Sequence, residues 1–449
     1  MALTRRALLA AMALNKRPNI LLLLADNWAA PHAAALGDPV VRTPVFDRLA
    51  REGVLFTHAF SPNPSCSPAR ASLLTGQETH RLRDAANLYG ALSSDFPTYT
   101  SLVRSAGYHV GYSGKGWGPG TAAGGNPAGG VFPTFEKFLA ARSSGQPFCY
   151  WFGSRDPHVP WELQSAVDRA KIRVPSHLPD HASVREDIAG YYAEVEQFDT
   201  ECGAMLDFLR KAGELDNTLV VMTSDNGWQI PRGLAGCYDL GVRIPMVVRY
   251  PSRLAPGGRR DDFVSLLDLA PTFLEAAGVA VPRGVTGKSL FGSTRRSSMF
   301  LERERHANVR RGDLAYPVRG IRTREYLYLW NIEPDRWPAG DPELYWAVGP
   351  YGDVDNSLSK QLLLREKPAP YFDLVFGKRP SEELYDVRKD PDQTRNLAGD
   401  VAYARVRKEL RARVVRWMKE TGDPRAAGPT DFWDKVVYTG AKATGRRSF

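Results

Sequence analysis

The sequence predicts an α/β fold in which a large, mostly parallel sheet is sandwiched by helices and is followed by a smaller α+β part. Short, nearly continuous apolar runs alternate with helical patterns up to about residue 290, as is typical of parallel strands buried on both faces. Beyond that point apolar and polar residues alternate, which indicates an antiparallel sheet with one exposed face. We therefore expect a large α/β domain over 18–290 and a C-terminal subdomain, with antiparallel strands and a terminal helix, over 291–449.

The individual elements follow from the same patterns. The predicted strands of the large domain are 19–25, 54–56, 108–113, 148–152, 219–224 and 241–248. The predicted helices are 43–50, 99–106, 188–212 and 268–277, besides a short one after Cys66. In the C-terminal subdomain we expect strands at 319–323, 326–330 and 383–386 and a basic amphipathic helix at 403–421.

The N-terminus resembles a short twin-arginine export signal. Arg5 and Arg6 precede a brief apolar run over 10–14, and no clear small-residue cleavage site follows it. A remnant of a longer signal, or a disordered tail on a cytoplasmic protein, is the alternative for residues 1–17. We expect a periplasmic or exported protein, and a cytoplasmic one otherwise. No apolar run is long enough to span a membrane.

Composition restricts the function further. The net charge of +9 suits an anionic substrate, but it also suits nucleic acid or a solvated surface. No helix-turn-helix, zinc-finger or RNP-like pattern supports nucleic acid, so we expect no nucleic-acid partner. The four cysteines are widely spaced and include no CxxC pair, which argues against zinc and against a disulfide framework.

Cys66 lies at the predicted start of a helix. Ser67 is a good N-cap, Pro68 suits the first helical position, and Gly76 suits the end. Helix N-termini favour negative charge, and Arg70 lies one turn into the helix, so this segment predicts an anion site around a thiol. The alternative is an inert, buried cysteine before an ordinary surface helix.

Polar side chains follow four of the predicted strands, namely Asp26-Asn27, Lys115, His158 and Asp225-Asn226. The carboxyl ends of parallel strands meet at one edge of the sheet, where ligands of open α/β folds bind. Two carboxylates and two amide oxygens form a hard, oxygen-rich donor set that favours Ca²⁺ or Mg²⁺ over zinc. The alternative is that these residues are ordinary strand-end turns, an exposed lysine and a structural histidine.

The segment Cys66-Ser67-Pro68-Ala69-Arg70, continued by Ala-Ser-Leu-Leu-Thr-Gly, resembles the signature of the type I, formylglycine-dependent sulfatase family, part of the alkaline phosphatase-like superfamily. In that family a formylglycine-generating or sulfatase-maturing enzyme converts the cysteine to formylglycine, and the resemblance implies such a partner here. The resemblance extends over almost the whole chain and includes Gly114-Lys115, 156–158, 224–227 and the terminal 383–398. It implies hydrolysis of a sulfate ester or sulfamate on a sulfated sugar or glycosaminoglycan fragment.

The resemblance also implies roles for single residues. The implied metal ligands are Asp26, Asn27, Asp225, Asn226 and the modified Cys66, with Ca²⁺ or Mg²⁺ as the cation. Arg70 would steady the aldehyde hydrate, Lys115 would bind the sulfate oxygens, and His158 would protonate or hold the leaving group. Expected substrate contacts are Trp117, Arg232, Arg305 and His306.

Three positions depart from the family pattern. Asn27 replaces a second carboxylate, Trp117 replaces a histidine two residues after the lysine, and Leu234 replaces a cation, for which Arg232 is a possible substitute. Within the family the sequence most resembles N-sulfoglucosamine sulfohydrolase (heparan N-sulfatase)-like members. Two alternatives stay open. These departures favour a non-catalytic binder of sulfated glycans, and a phosphoester or phosphonate hydrolase of the same superfamily would share the metal arrangement.

Overall fold

The computed structural model describes residues 17–292, 296–343 and 348–439. The predicted export signal lies outside this part of the chain. The described strands are β1 (Asn19–Ala25), β2 (Val54–Phe60), β3 (Ala91–Leu92), β4 (His109–Gly114), β5 (Thr121–Ala122), β6 (Gly130–Val131), β7 (Phe148–Gly153), β8 (Thr218–Ser224), β9 (Arg243–Arg249), β10 (Gly258–Ser265), β11 (Ser298–Arg303), β12 (Val318–Thr323), β13 (Tyr326–Asn331) and β14 (Glu382–Asp386). The described α-helices are α1 (Pro44–Glu52), α2 (Cys66–Thr75), α3 (Tyr99–Ser105), α4 (Phe135–Ala140), α5 (Ala182–Lys211), α6 (Asp239–Val242), α7 (Leu269–Ala277), α8 (Leu358–Glu366), α9 (Tyr371–Phe376) and α10 (Ala404–Thr421).

The predicted α/β architecture is confirmed by a mostly parallel sheet of eight strands in the order β10-β2-β9-β8-β1-β7-β4-β6. Only β9 runs antiparallel to its neighbours in this sheet. The chain between β8 and β9 holds only loop and the short α6, and it stays at one end of the sheet. A parallel neighbour would require a crossover to the opposite end, so β9 returns in the antiparallel direction.

β1 lies at the centre of the sheet and is buried along its whole length, which explains its unbroken apolar sequence. Its two neighbours, β7 and β8, are both parallel to it. Separate apolar clusters cover the two faces of the sheet, one built around α5 and the other around α2 and α7. This arrangement brings the carboxyl ends of β1, β4, β7 and β8 to the same edge.

The C-terminal antiparallel sheet is also confirmed, in the order β11-β12-β13-β14. One face packs under α10, through residues such as Leu410 and Trp417. The other face packs against Phe60 and Phe263 of the large sheet.

Strand β11 and helices α8 and α9 were not predicted. Helix α5 begins at Ala182, before the predicted start at 188, and α2 begins at Cys66 with Ser65 as N-cap, so Ser67 was the wrong cap.

Candidate active site

Two Asp-Asn pairs meet at the carboxyl edge of the large sheet. Asp26 and Asn27 follow β1, Asp225 and Asn226 follow the adjacent β8, and all four residues are buried. Asp225 Oδ1 accepts hydrogen bonds from the backbone N–H of Asn27, at 3.1 Å, and of Asn226, at 2.8 Å. These bonds fix one pair directly against the other.

The Cys66 thiol points into this cluster from the first turn of α2. Its Sγ lies 3.5 Å from Asp26 Oδ1, 3.8 Å from Asn27 Oδ1 and 3.8 Å from Asn226 Nδ2. Burial and the adjacent carboxylates raise the pKa of the thiol far above its ordinary value, against the opposing effect of Lys115. An unmodified Cys66 is therefore a neutral thiol at physiological pH and a poor nucleophile.

Two cations compensate the buried carboxylates. Arg70 Nε donates to Asp225 Oδ2 at 2.7 Å, and Arg70 Nη2 lies 3.4 Å from Asp26 Oδ1. Lys115 Nζ lies 2.5 Å from Asp26 Oδ2. Burial alone would raise the pKa of Asp26, but Lys115 and Arg70 outweigh that effect and hold the pKa well below its ordinary value. Asp26 is therefore ionised throughout the physiological range.

The residues of the cluster fit a hard divalent cation. The ligand atoms of Asp26, Cys66 and Asp225 lie within 4.8 Å of one another, and the two asparagines add amide oxygens. Within the described part of the chain, the buried Asn226 Oδ1 accepts no hydrogen bond. A buried acceptor without a partner costs about 1–3 kcal/mol, and a cation coordinated there would remove that cost. The oxygen-rich donor set favours Ca²⁺ or Mg²⁺.

A cleft of about 1130 Å³ opens onto the cluster, with Asp26, Cys66, Lys115 and His158 in its wall. His158 Nδ1 is 2.6 Å from the carbonyl oxygen of Val159, to which it donates in the corresponding tautomer. Its Nε2 lies 3.1 Å from the Gln229 side-chain amide nitrogen. Each ring nitrogen of His158 therefore has a polar neighbour, and these contacts fix the imidazole at the border of the cleft.

His306 also lines the cleft, and its Nδ1 lies 2.8 Å from Oγ of Ser65, the residue before Cys66. Burial lowers the pKa of His306, which keeps the ring neutral at physiological pH. Of the predicted substrate-contacting residues, His306 is thus the one that the structure brings beside the thiol.

The other three predicted substrate contacts are not among the described residues that line the cleft, and their roles stay predictions. Trp117 is buried under α2 and donates from Nε1 to the Ser67 carbonyl oxygen, at 3.1 Å. Arg232 stacks over the Tyr238 ring, with its guanidinium 4.0 Å from the ring centroid. Both guanidinium Nη atoms of Arg305 donate to backbone carbonyls, those of Asp313 and Val436. Each side chain is engaged in a contact within the fold. The positions of these residues along the sequence do not indicate those contacts.

Sequence analysis also missed residues of the cleft wall. Asp156 lines it, and burial together with Glu194 and Glu201 raises the pKa of Asp156 to about 7. Tyr89 and Tyr438 line it as well, although they are far apart in the sequence. The position of Asp156, directly before Pro157 and His158, could have indicated that it lines the cleft. The residues around the two tyrosines in the sequence give no such indication.

The fold and this cluster define an α/β protein whose central sheet holds, at its carboxyl edge, a buried thiol among residue types that bind metal ions. The family model "Sulfatase" matches residues 18–130 and 124–279, and the model "N-sulphoglucosamine sulphohydrolase, C-terminal" matches 235–337. The chain therefore belongs to the sulfatase family, enzymes that hydrolyse sulfate esters.

Known relatives agree with this assignment. The chain is 29% identical to the N-sulphoglucosamine sulphohydrolase of Homo sapiens over 92% of each chain. A solved structure described as a complex with its substrate D-glucosamine-2-N,6-O-disulfate superposes with a TM-score of 0.66 at 20% identity, over 92% of this chain and 100% of that one. The phosphonate monoester hydrolase of Agrobacterium radiobacter superposes with a TM-score of 0.67 at 18% identity, over 90% and 96%. None of the helices described here is long and apolar enough to cross a membrane.

Proposed function

We propose that this protein hydrolyses a sulfate ester or sulfamate on a sulfated sugar, with a formylglycine derived from Cys66 and a divalent cation in the Asp-Asn cluster. The observation that carries the proposal is the position of the thiol, 3.5 Å from Asp26 Oδ1 and beside both Asp-Asn pairs, at the base of a large cleft. The relative that acts on N-sulphoglucosamine and the complex with a glucosamine disulfate support a sulfated amino sugar as substrate.

Asp26, Asn27, Asp225 and Asn226 would hold the cation, which we propose to be Ca²⁺ or Mg²⁺. When bound, the cation would neutralise sulfate charge and the aldehyde hydrate would supply the nucleophilic hydroxyl. Conversion of Cys66 by a formylglycine-generating enzyme would supply a nucleophile that does not depend on a thiolate.

The protein's own side chains orient the reaction. Arg70 holds Asp225 in place and presents positive charge at the base of the cleft, with its Nη1 fixed by the carbonyl oxygens of Lys115 and Gly116 at 2.9 and 2.8 Å. Lys115 contributes a second positive charge for the equatorial sulfate oxygens, whose charge grows in the transition state. His158 is held through Nδ1, and Gln229 faces its Nε2. In the doubly protonated form of the ring, with the Gln229 contact released, Nε2 would protonate the leaving atom.

Leu234 favours one alternative. It places an apolar side chain in the cleft wall where the family resemblance implies a cation, so the chain could bind sulfated sugars without turning them over. Release of sulfate from a sulfated sugar by the matured protein distinguishes hydrolysis from binding alone.

The test is co-expression with a formylglycine-generating enzyme, followed by mass analysis of the Cys66 peptide and assay on N-sulfated and 6-O-sulfated glucosamine. We expect an aldehyde at position 66 and release of sulfate, both lost in Cys66→Ala and retained in the matched buried variant Cys149→Ala. Matched aryl sulfate and aryl phosphate esters test the phosphohydrolase alternative. An unmodified thiol without sulfate release would contradict the proposal, and sugar binding without release would favour the binder.

A further inference from the structure

The C-terminal arm, residues 433–439, returns to the cleft that contains Cys66. Asn87 Nδ2 donates to the Trp433 carbonyl oxygen at 2.9 Å, and the Trp433 ring is fully buried. Arg305 Nη2 donates to the Val436 carbonyl oxygen at 2.8 Å. These contacts fix the arm along one side of the cleft, and they place Tyr438 in its wall.

Tyr438 meets Tyr89 across this wall. Their ring centroids are 4.6 Å apart at an interplanar angle of 41°, and both side chains line the cleft. The backbone N–H of Thr439 donates to the Tyr89 carbonyl oxygen at 2.9 Å, and the Thr439 hydroxyl donates to the same oxygen at 2.6 Å. The arm therefore fixes both the ring and the backbone of Tyr89.

Tyr89 has a left-handed backbone conformation, with φ at +58°, which is uncommon for a bulky residue. The strain is held by neighbours on both sides. The Tyr89 N–H donates to the Pro119 carbonyl oxygen at 3.2 Å, and a Cβ at the next residue, Gly90, would lie 1.9 Å from the Asp84 carbonyl oxygen. Strain of this kind costs about 1–3 kcal/mol and persists where the surroundings fix it, often at ligand sites.

We propose that Tyr89 and Tyr438 form an aromatic platform that binds a sugar ring of the substrate, an inference that rests on the proposed function. Both tyrosines line the same cleft as the Cys66 thiol, so a sugar whose sulfate reaches the Asp-Asn cluster has an aromatic wall beside its ring. Tyrosine offers a large apolar surface with few rotatable bonds, and the C–H face of a pyranose packs on such a surface. Arg305 acts as a positioning residue for the arm and does not contact the sugar.

The platform predicts a loss of sugar affinity that is independent of turnover. Binding is measured by calorimetry in the full-length Cys66→Ala background, with 6-O-sulfated glucosamine and with inorganic sulfate as separate ligands. Tyr438→Ala should weaken sugar binding about 3- to 10-fold, the range expected for one aromatic contact, and leave sulfate binding unchanged. Tyr438→Phe, which keeps the ring, and Val437→Ala, an exposed neighbour in the arm, should bind like the parent.

A kinetic readout complements the binding data. In the matured enzyme, Tyr438→Ala should raise KM for the sulfated sugar, whereas Val437→Ala, outside the platform, should leave KM unchanged. Equal sugar affinity in Tyr438→Ala and its parent, or an equal loss in Tyr438→Phe, would overturn the platform. Sugar binding that depends on Tyr438 in a chain without turnover would support the platform and contradict only the hydrolase. A parent that binds no sulfated sugar would overturn both proposals.

Discussion

Asn27 shows how one residue adapts to the site. Its φ is +78°, a left-handed conformation that asparagine tolerates better than most residues, and its side chain is fully buried. The amide keeps an oxygen directed at the cluster but removes one negative charge relative to a carboxylate. With Arg70 and Lys115 beside the two remaining carboxylates, we expect weaker retention of a divalent cation than in relatives with a second carboxylate at this position.

At the same scale, Lys115 is expected to contribute to turnover more than to folding. Lys115→Met removes a positive charge beside the proposed sulfate position, and we expect kcat/KM to fall about 100- to 1,000-fold, as for other positioned charges in transition-state stabilisation. Steady-state kinetics on the matured enzyme measure this loss. Lys137→Met, on an exposed part of α4, is the matched control and should retain full activity. Normal kinetics in Lys115→Met would show that Lys115 does not contribute to turnover.

At the scale of elements, a buried pair links the segment after α2 to the small sheet and to α10. His80 Nδ1 lies 2.7 Å from Glu302 Oε2 in β11, and His80 Nε2 lies 3.0 Å from the Thr421 hydroxyl at the end of α10. Burial alone would lower the pKa of His80, but Glu302 outweighs that effect and raises the pKa. Asp423 acts in the same direction as Glu302, and Arg319 opposes it.

This pair predicts a pH-dependent stability. Because the folded-state pKa of His80 lies above its unfolded value, the pair contributes stability that is fully present below the unfolded pKa and is lost as pH rises through the folded pKa. The loss of unfolding free energy in His80→Gln should therefore be larger at about pH 6 than at about pH 9. His109, whose pKa burial lowers, is the control, because the cost of His109→Gln should increase with pH instead. Denaturant titrations at both pH values measure the two trends; a pH-independent cost in His80→Gln would contradict the pair.

At the scale of the whole molecule, buried ion pairs connect the C-terminal segments to the small sheet. Arg319 of β12 is fully buried and pairs with Glu304 at 2.7 Å and with Asp423 at 2.6 Å. Arg425 pairs with the same Glu304 at 2.7 Å. Removal of one member would leave an uncompensated buried charge, so these pairs fix how the segment after α10 is attached. The C-terminal arm, residues 433–439, follows this segment and returns to the cleft.

Cation binding should stabilise the whole fold, because the four proposed ligand residues come together only in the native state. A cation at 100 times its Kd should raise the free energy of unfolding by about 2.7 kcal/mol. Thermal unfolding with added Ca²⁺ or Mg²⁺, and again after chelation, measures this rise without any need for turnover. The same ionic strength supplied as KCl should have no effect, and Asp225→Asn should reduce the response. A melting temperature insensitive to both cations would argue against the metal site.

The amino-acid pattern was sufficient to predict the α/β class, the approximate position of most strands, and the residue types at the strand ends. Local patterns carry that information, because a strand buried on both faces must be apolar and a parallel sheet collects its carboxyl ends at one edge. The Asp-Asn pairs, Cys66, Arg70 and Lys115 could be placed together for this reason. Their separation in the sequence does not matter once they occupy the same edge.

Long-range packing determines which of the other candidates reach the cleft. Trp117, Arg232 and Arg305 have suitable chemistry, but each donates a hydrogen bond to a backbone carbonyl distant in the sequence. Tyr438 reaches the cleft because the C-terminal arm packs on Tyr89. The hydroxyl of the adjacent Thr439 donates to the Tyr89 carbonyl oxygen, and these two residues are 350 positions apart in the sequence. Such packing depends on the shape of the completed core, which residue spacing along the chain does not encode.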